Sequence, residues 1–142
     1  MIGMTLKNVD VNWNKTGANL VMVINKDCHF CSESAPFYQR VIGTVGARVQ
    51  VAALFTHDVA TAKSYVNRLG LGVSVIRGSV SFPWPVMTPT LMLCDARGKI
   101  TRVWIGKLNA AEESEVLAAV ASANPSQRSC SQPLCGAGSS SD

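Results

Sequence analysis

The stretch Asn19-Leu-Val-Met-Val-Ile-Asn-Lys-Asp-Cys-His-Phe-Cys31 decides the fold of this chain, because a strand pattern runs directly into a pair of cysteines. Residues 19–24 are a nearly continuous apolar run with β-branched side chains, which is typical of a strand covered on both faces. Over residues 28–42 the apolar side chains recur at helical spacing, so this segment predicts a helix. Gly43 and Gly46 are expected to end it.

The neighbouring segments extend this pattern to further strands and helices. Residues 5–13 alternate weakly between apolar and polar side chains and predict a first strand, and residues 49–55 predict another buried strand. Asp58 is expected to cap a helix that extends to residue 69. The side chains predicted to face inward from that helix are Val59, Ala62, Val66 and Leu69.

The second half of the chain ends in a hairpin and a helix. Residues 79–85 contain two prolines and predict an irregular loop. Residues 90–94 and 99–105 flank a turn and predict a hairpin. Asn109 and Glu112 have the spacing of a capping box, which predicts the start of a last helix. The apolar side of that helix is expected to hold Val116, Leu117 and Val120.

Length and composition indicate one domain with a well-filled interior. The chain has 142 residues, of which 47% are hydrophobic and 15% charged. The order strand, strand, helix, strand, helix, loop, hairpin, helix predicts a three-layer α/β domain over residues 1–124. Residues 125–142 are rich in Ser and Gly and predict a flexible tail.

The formal charge of +4 comes from scattered basic residues, and no run of Lys or Arg indicates a nucleic-acid or membrane-surface partner. No apolar run approaches the roughly 20 residues of a membrane-spanning helix. The first residues also lack the pattern of a signal peptide. We therefore expect a cytoplasmic protein, or an extracytoplasmic (periplasmic) one from which a leader was removed.

The spacing of Cys28 and Cys31 allows redox chemistry. Cysteines three positions apart in a first helical turn have Cα atoms about 5–6 Å apart, within reach of a disulfide. The N–H groups at a helix start favour a thiolate at the first cysteine. Cys28 is thus the expected nucleophile, and Cys31 is expected to attack the mixed disulfide at the Cys28 sulfur and release the product. A zinc half-site and an inert structural disulfide are the alternatives for such a pair.

The chain resembles the thioredoxin superfamily, in particular its TlpA-like and ResA-like members. The resemblance rests on the cysteine pair, on Pro36 five residues after Cys31, and on Thr88-Pro89-Thr90 at the start of the hairpin. It implies a thioredoxin fold, an α/β/α sandwich with a central mixed sheet. It also implies that Pro89 is a cis-proline facing the active site and that Thr88 offers backbone groups to a client chain.

The sequence departs from that superfamily at two positions near the pair. Asp27 stands where a tryptophan usually precedes the first cysteine, and Met22 stands where thioredoxin has a buried carboxylate. His29, between the cysteines beside Phe30, is expected to stabilise the Cys28 thiolate when protonated, whereas Asp27 would act in the opposite sense. We count Asp27, His29 and Phe30 as supporting residues of the site.

Other residues with possible chemistry have simpler interpretations. We expect Cys94 to be a buried small hydrophobe and His57 to be a surface loop residue. Phe82 and Trp84 fit a rim of the active site and structural packing equally well. For Cys130 and Cys135, a disulfide in the tail is the simplest of several readings, which include a second redox pair and metal capture.

The sequence as a whole predicts a thiol–disulfide oxidoreductase that acts on protein clients, as a reductase or isomerase rather than an oxidase. It implies no cofactor and no metal, because the electrons travel on the sulfurs. An upstream redox partner and a monomeric state are expected. The alternative is a non-catalytic thioredoxin-like binding module whose disulfide is structural. A peroxidase is a weaker reading, since its Thr-x-x-Cys arrangement is absent from the sequence.

Overall fold

The computed structural model describes residues 1–123, which are built around one mixed sheet of five strands. The strands lie in the order β3-β2-β1-β4-β5, with β1, β2 and β3 parallel and β4 and β5 antiparallel to their neighbours. Their bounds are β1 Asn19–Val23, β2 Gln50–Leu54, β3 Val75–Arg77, β4 Thr90–Cys94 and β5 Ile100–Ile105.

The helices of the described residues contribute to one core, on one face of the sheet. They are α1 His29–Glu33, α2 Ala35–Val45, α3 Val59–Arg68 and α4 Ala110–Ala123. The two parallel connections, β1 to β2 and β2 to β3, advance in the same direction across the sheet, so right-handed crossovers place their helices on the same face. This core includes strand residues Leu20, Met22, Ala53 and Leu91 and helix residues Tyr38, Val41, Tyr65, Val66, Val116 and Val120.

The opposite face of the sheet is covered by irregular chain. Its buried residues include Val21, Val23, Leu54, Met92 and Ile100, and they pack against side chains of residues 9–13 and 80–86. Within residues 1–123 no helix contributes to this second core. The predicted α/β class and central mixed sheet are confirmed, while the third layer consists of loops instead of helices.

The prediction of a strand over residues 5–13 is wrong. Thr5 forms an isolated antiparallel bridge with Lys99, and the chain then leaves the sheet edge. Asn8 has a φ of 60°, which a regular strand does not permit. The weak alternation arises because Val9, Val11 and Trp13 lie on the second face of the sheet instead of pairing within it.

The predicted helix after Cys28 is two helices with a break at Ser34. This residue is both the C-cap residue of α1 and the N-cap residue of α2. Pro36 lies in the first turn of α2, where its missing N–H costs no hydrogen bond. Gly43 does not end the helix but lies within it. The end comes at Gly46, whose φ of 56° and N–H bond to the Ile42 carbonyl close the last turn.

The remaining elements mostly follow the predictions. The buried strands, the hairpin and the Asp58 cap are confirmed, as is the capping box, in which Asn109 and Glu112 exchange bonds of 3.0 and 2.8 Å. Strand β3 was not predicted, and Val59 is 46% exposed instead of facing inward. The predictions for residues 125–142, Cys130 and Cys135 included, lie outside the described residues.

Candidate active site

The sheet register brings three loops together at one end of the central strands. Val23 at the end of β1 pairs with Leu54 at the end of β2 and with Thr90 at the start of β4. The loop after β1 carries the cysteine pair, and the residues before β4 are Thr88 and Pro89. The loops after β1 and β2 and the segment before β4 all leave the sheet at this end, so side chains distant in sequence become neighbours.

The Cys28 sulfur lies at the centre of this junction. Cys28 is the N-cap residue of α1, with φ −97° and ψ 112°, and its Sγ accepts a hydrogen bond of 3.2 Å from the Cys31 N–H. The thiol also lies 3.4 Å from the Thr88 carbonyl oxygen, to which it can donate. The residue is half-buried, so its sulfur is both oriented and accessible.

Cys31 lies one helical turn further on and is fully buried in the core under the helices. Burial, followed by the hydrogen bond with Cys28, raises the pKa of the Cys31 thiol to about 12. Cys31 is therefore a protonated and shielded thiol next to an accessible one. The two sulfurs of the pair therefore differ clearly in their exposure to solvent.

The segment before β4 provides backbone groups beside the sulfur. The Thr88–Pro89 peptide bond is cis, and Pro89 is buried. The Pro89 carbonyl accepts a 2.8 Å bond from the Gly106 N–H, which ties this segment to the end of β5. Two large apolar side chains on the flanking segments are exposed, Phe30 at 52% and Met87 at 63%.

The charged residues next to the cysteines pair with each other. The His29 Nε2 lies 2.6 Å from Glu33 Oε2, and Lys107 Nζ lies 3.0 Å from Glu33 Oε1. The Lys107 hydrogen bond, with the nearby His29 charge, holds the pKa of Glu33 below its ordinary value. Asp27 is exposed and lies 3.6 Å from Lys26. The structure thus places the His29 ring against Glu33, while the Cys28 sulfur contacts Thr88 and Cys31.

Asn25 and His57 also lie at this junction, although the sequence pattern indicates neither. The Asn25 carbonyl accepts from the Cys28 N–H at 3.1 Å, and its Oδ1 accepts from the Asp27 N–H at 2.8 Å. His57 was expected to be a surface loop residue. It is half-buried, and its Nε2 lies 3.1 Å from Asn25 Oδ1. The signal in the sequence is that both residues follow neighbouring buried strands.

Several other candidates lie away from the sulfurs or in the core. Cys94 is buried in the second core, as predicted, and burial with the nearby Asp95 charge raises its pKa to about 12. Phe82 and Trp84 pack on that same face of the sheet. Met22 is fully buried. Among residues 1–123, no group of three or more His, Cys, Asp or Glu side chains is placed to hold a metal ion.

The backbone of the chain resembles several solved structures. A thiol-disulfide isomerase from Corynebacterium glutamicum is 18% identical with a TM-score of 0.60, and the match covers 84% of this chain and 91% of that one. A secreted disulfide oxidoreductase from Mycobacterium tuberculosis is 20% identical with a TM-score of 0.57, over 77% and 84% of the two chains. StoA from Bacillus subtilis is 16% identical with a TM-score of 0.55, over 72% and 83%. The chain has the thioredoxin fold.

Sequence comparison adds no closer relative, since neither a protein-family model nor a curated protein matches the chain. The thioredoxin fold therefore rests on the agreement of backbone and topology. Within residues 1–123 of this thioredoxin fold, no helix has the length and apolar character needed to cross a membrane.

Proposed function

We propose that this chain is a thiol–disulfide oxidoreductase that exchanges disulfides with protein clients through Cys28 and Cys31. The observation that carries the proposal is the asymmetry of the pair. The Cys28 sulfur is accessible and accepts a hydrogen bond from the Cys31 N–H, whereas the Cys31 thiol is buried with its pKa raised to about 12. An exchange enzyme needs one sulfur that attacks first and a second that waits.

The reaction starts with the Cys28 thiolate. It attacks one sulfur of a client disulfide, forms a mixed disulfide and releases the other client sulfur as a thiolate. Cys31 then loses its proton to solvent or to the leaving client thiolate and attacks the Cys28 sulfur. This step releases the reduced client and leaves Cys28 and Cys31 as a disulfide. A dithiol protein upstream must reduce that disulfide before the next turnover.

The client chain is expected to lie along the segment before β4. The Thr88 and Pro89 backbone borders the Cys28 sulfur, and Pro89 has no N–H that would compete for a client carbonyl. The exposed apolar side chains of Phe30 and Met87 flank this position and would contact apolar client residues. We assign Asp27 and His29 to the charged rim of the same site.

We favour reduction or isomerisation over oxidation. The resemblance of the Thr88-Pro89 pair to bacterial isomerase and reductase domains supports this direction, and one solved neighbour is a thiol-disulfide isomerase by name. An extracytoplasmic location is supported by another neighbour, which is a secreted protein by name. Measuring the reduction potential against glutathione tests the direction, because a potential below about −300 mV would indicate a structural disulfide in a binding module.

Insulin reduction with dithiothreitol as donor tests the activity. We expect Cys28→Ser to abolish turnover and Cys31→Ser to accumulate mixed disulfides at Cys28. Cys94→Ala is the matched control, since Cys94 lies in the second core and is expected to leave turnover unchanged. Full insulin reduction by Cys28→Ser would refute the proposed function.

The domain boundary and the tail can be tested in the same assay. We propose that residues 1–124 form the catalytic domain and that residues 125–142 are a separate tail. The double variant Cys130→Ala, Cys135→Ala in the full chain is then expected to turn over at the parent rate. A large loss of turnover would instead assign the tail cysteines to the exchange reaction.

A further inference from the structure

The loop that presents Cys28 is shaped by Asn25, a residue of the loop itself. Asn25 Oδ1 accepts from the Asp27 N–H at 2.8 Å, and the Asn25 carbonyl accepts from the Cys28 N–H at 3.1 Å. These two bonds shape the turn between β1 and α1. The orientation of the Asn25 carboxamide therefore affects where the Cys28 sulfur lies.

His57 contacts this turn in two ways that exclude each other. Its Nε2 lies 3.1 Å from Asn25 Oδ1, and the Lys26 N–H points at the same nitrogen from 3.4 Å. Asn25 Oδ1 already accepts from Asp27, so the contact with His57 is attractive when Nε2 carries a proton and donates. When Nε2 lacks a proton, it accepts from Lys26 and faces the Asn25 oxygen lone pairs. The proton on Nε2 thus selects which bond holds the loop.

We propose that His57 is a positioning residue that holds the Asn25 turn and that its protonation changes the reactivity of Cys28. The inference rests on the proposed function, because it concerns the same nucleophile. The imidazolium always carries a proton on Nε2 and therefore always donates to Asn25. The neutral ring divides between two tautomers, one of which releases Asn25. Cys28 is accordingly best oriented at low pH, where the ring is an imidazolium.

The surroundings of His57 are compatible with this role. Its ring packs on Phe55 of the β2 end, with centroids 6.3 Å apart, and its carbonyl accepts from the Ser79 N–H at 2.6 Å. Asp58 at the start of α3 is close enough for its charge to interact with His57, while the contacts from the β1 loop come from the Lys26 backbone N–H and the uncharged Asn25 side chain. The backbone of His57 is fixed, so a change of protonation acts on the contact with Asn25.

The test is the alkylation rate of Cys28 by iodoacetamide in the full chain from about pH 5 to about pH 8, the range in which histidine titrates. Peptide fragmentation assigns the modified cysteine, and the rate is divided by the thiolate fraction read from ultraviolet absorbance. With the two neutral tautomers about equally populated, half of the neutral rings still donate to Asn25, so we expect the corrected rate of the parent chain to fall about 2-fold toward the alkaline end. Complete loss of the donor, as in His57→Phe, is expected to lower the rate about 3- to 10-fold, the equivalent of about one hydrogen bond.

Three variants separate positioning from a merely structural role. His57→Gln keeps an N–H donor without titrating, so its corrected rate should stay at the acidic plateau of the parent at every pH. His57→Phe keeps the ring against Phe55 but has no donor, so its rate should be low and independent of pH. Asn25→Ala should lose the pH dependence as well.

The outcomes decide the proposal in either direction. A flat parent profile, or a pH-dependent profile that survives in His57→Phe, would overturn it. If His57→Phe fails to fold, His57→Gln and Asn25→Ala still give the result. Failure of the parent chain to reduce insulin would refute the proposed function instead, while the alkylation profiles would still report on His57.

Discussion

Cys31 is expected to be a very slow nucleophile as long as the fold holds it. The perturbation that exposes this is Cys28→Ser, which removes the first sulfur and leaves a hydroxyl in its place. Cys31 is fully buried, and burial is the largest cause of its raised pKa, so most of the effect should persist without Cys28. The variant therefore tests the asymmetry of the pair directly.

The size of the effect follows from that pKa. Raising the pKa from 9.0 to about 12 lowers the thiolate fraction at neutral pH about a thousandfold. A more basic thiolate is also more nucleophilic, and a Brønsted slope of about 0.4–0.5 raises the rate constant of the thiolate about 16- to 32-fold. The net expectation is alkylation up to about 30- to 60-fold slower than for an ordinary thiol, because the part of the pKa shift caused by Cys28 is lost in the variant. Shielding of Cys31 from the reagent can only increase this ratio.

The assay compares Cys31 in Cys28→Ser with the same cysteine in a short peptide of residues 27–32 carrying the same substitution. Iodoacetamide labels both, and peptide mass spectrometry resolves Cys31 from the other cysteines. In denaturant the protein should react at the rate of the peptide, because burial is then lost. Equal rates for the folded protein and the peptide would refute the argument that burial fixes the order of reaction.

Three further predictions concern stability. Gly98→Ala should lower the free energy of unfolding by about 2–4 kcal/mol, because φ is +81° and a Cβ would lie 2.8 Å from the Trp13 ring. Gly106→Ala, where φ is +84° and the space around a Cβ is open, should lower it by about 1 kcal/mol. Equal losses for the two variants in denaturant titrations would contradict the steric argument. The folded pKa of Cys94 lies above its unfolded value, so its contribution is complete below about pH 9 and is lost as the pH rises toward about 12. Between about pH 8 and about pH 11, ionisation of this thiol should lower the free energy of unfolding by about 2.5 kcal/mol, and Cys94→Ala should not show this decrease. Asn109→Ala removes a helix cap and should cost about 1 kcal/mol, measured by the same titration; an unchanged midpoint would contradict that role.

The sequence predicted the elements whose signals are local. The apolar run of β1, the hairpin of β4 and β5 and the capping box at Asn109 each depend on neighbouring residues, and each is confirmed. The same is true of Cys28 and Cys31 at the start of α1. In these segments backbone preference and side-chain pattern agree.

The second face of the sheet could not be predicted in this way. Strand β3 has three residues and forms by pairing with β2, a contact that the spacing of its own side chains does not reveal. Residues 5–13 carry the side chains of a strand, yet Asn8 turns the backbone away. Whether an apolar segment pairs within a sheet or lies on its face depends on edges that are distant in sequence.

Among the polar groups of the site, too, the contacts within one helix could be predicted and the contacts between strand connections could not. Helical spacing places Glu33 four residues after His29, and the structure pairs them, so that contact was readable from the sequence. The contact between Asn25 and His57 was not, because it requires β1 and β2 to be adjacent and in register. A histidine that appears to be an isolated loop residue thus acquires a role through strand pairing.

The geometry of the site depends on strand register more than on the layer that covers the second face. A shift of β4 by one residue against β1 would move Thr88 by about 3.3 Å, which is as long as its present 3.4 Å contact with the Cys28 sulfur. The same shift would turn Met92 toward the helices and Leu91 away from them. Both faces of β4 are buried, so this slip is costly even though loops cover one of them. Irregular chain on that face is therefore compatible with a well-defined pair of sulfurs, because burial of alternate side chains is enough to fix the register.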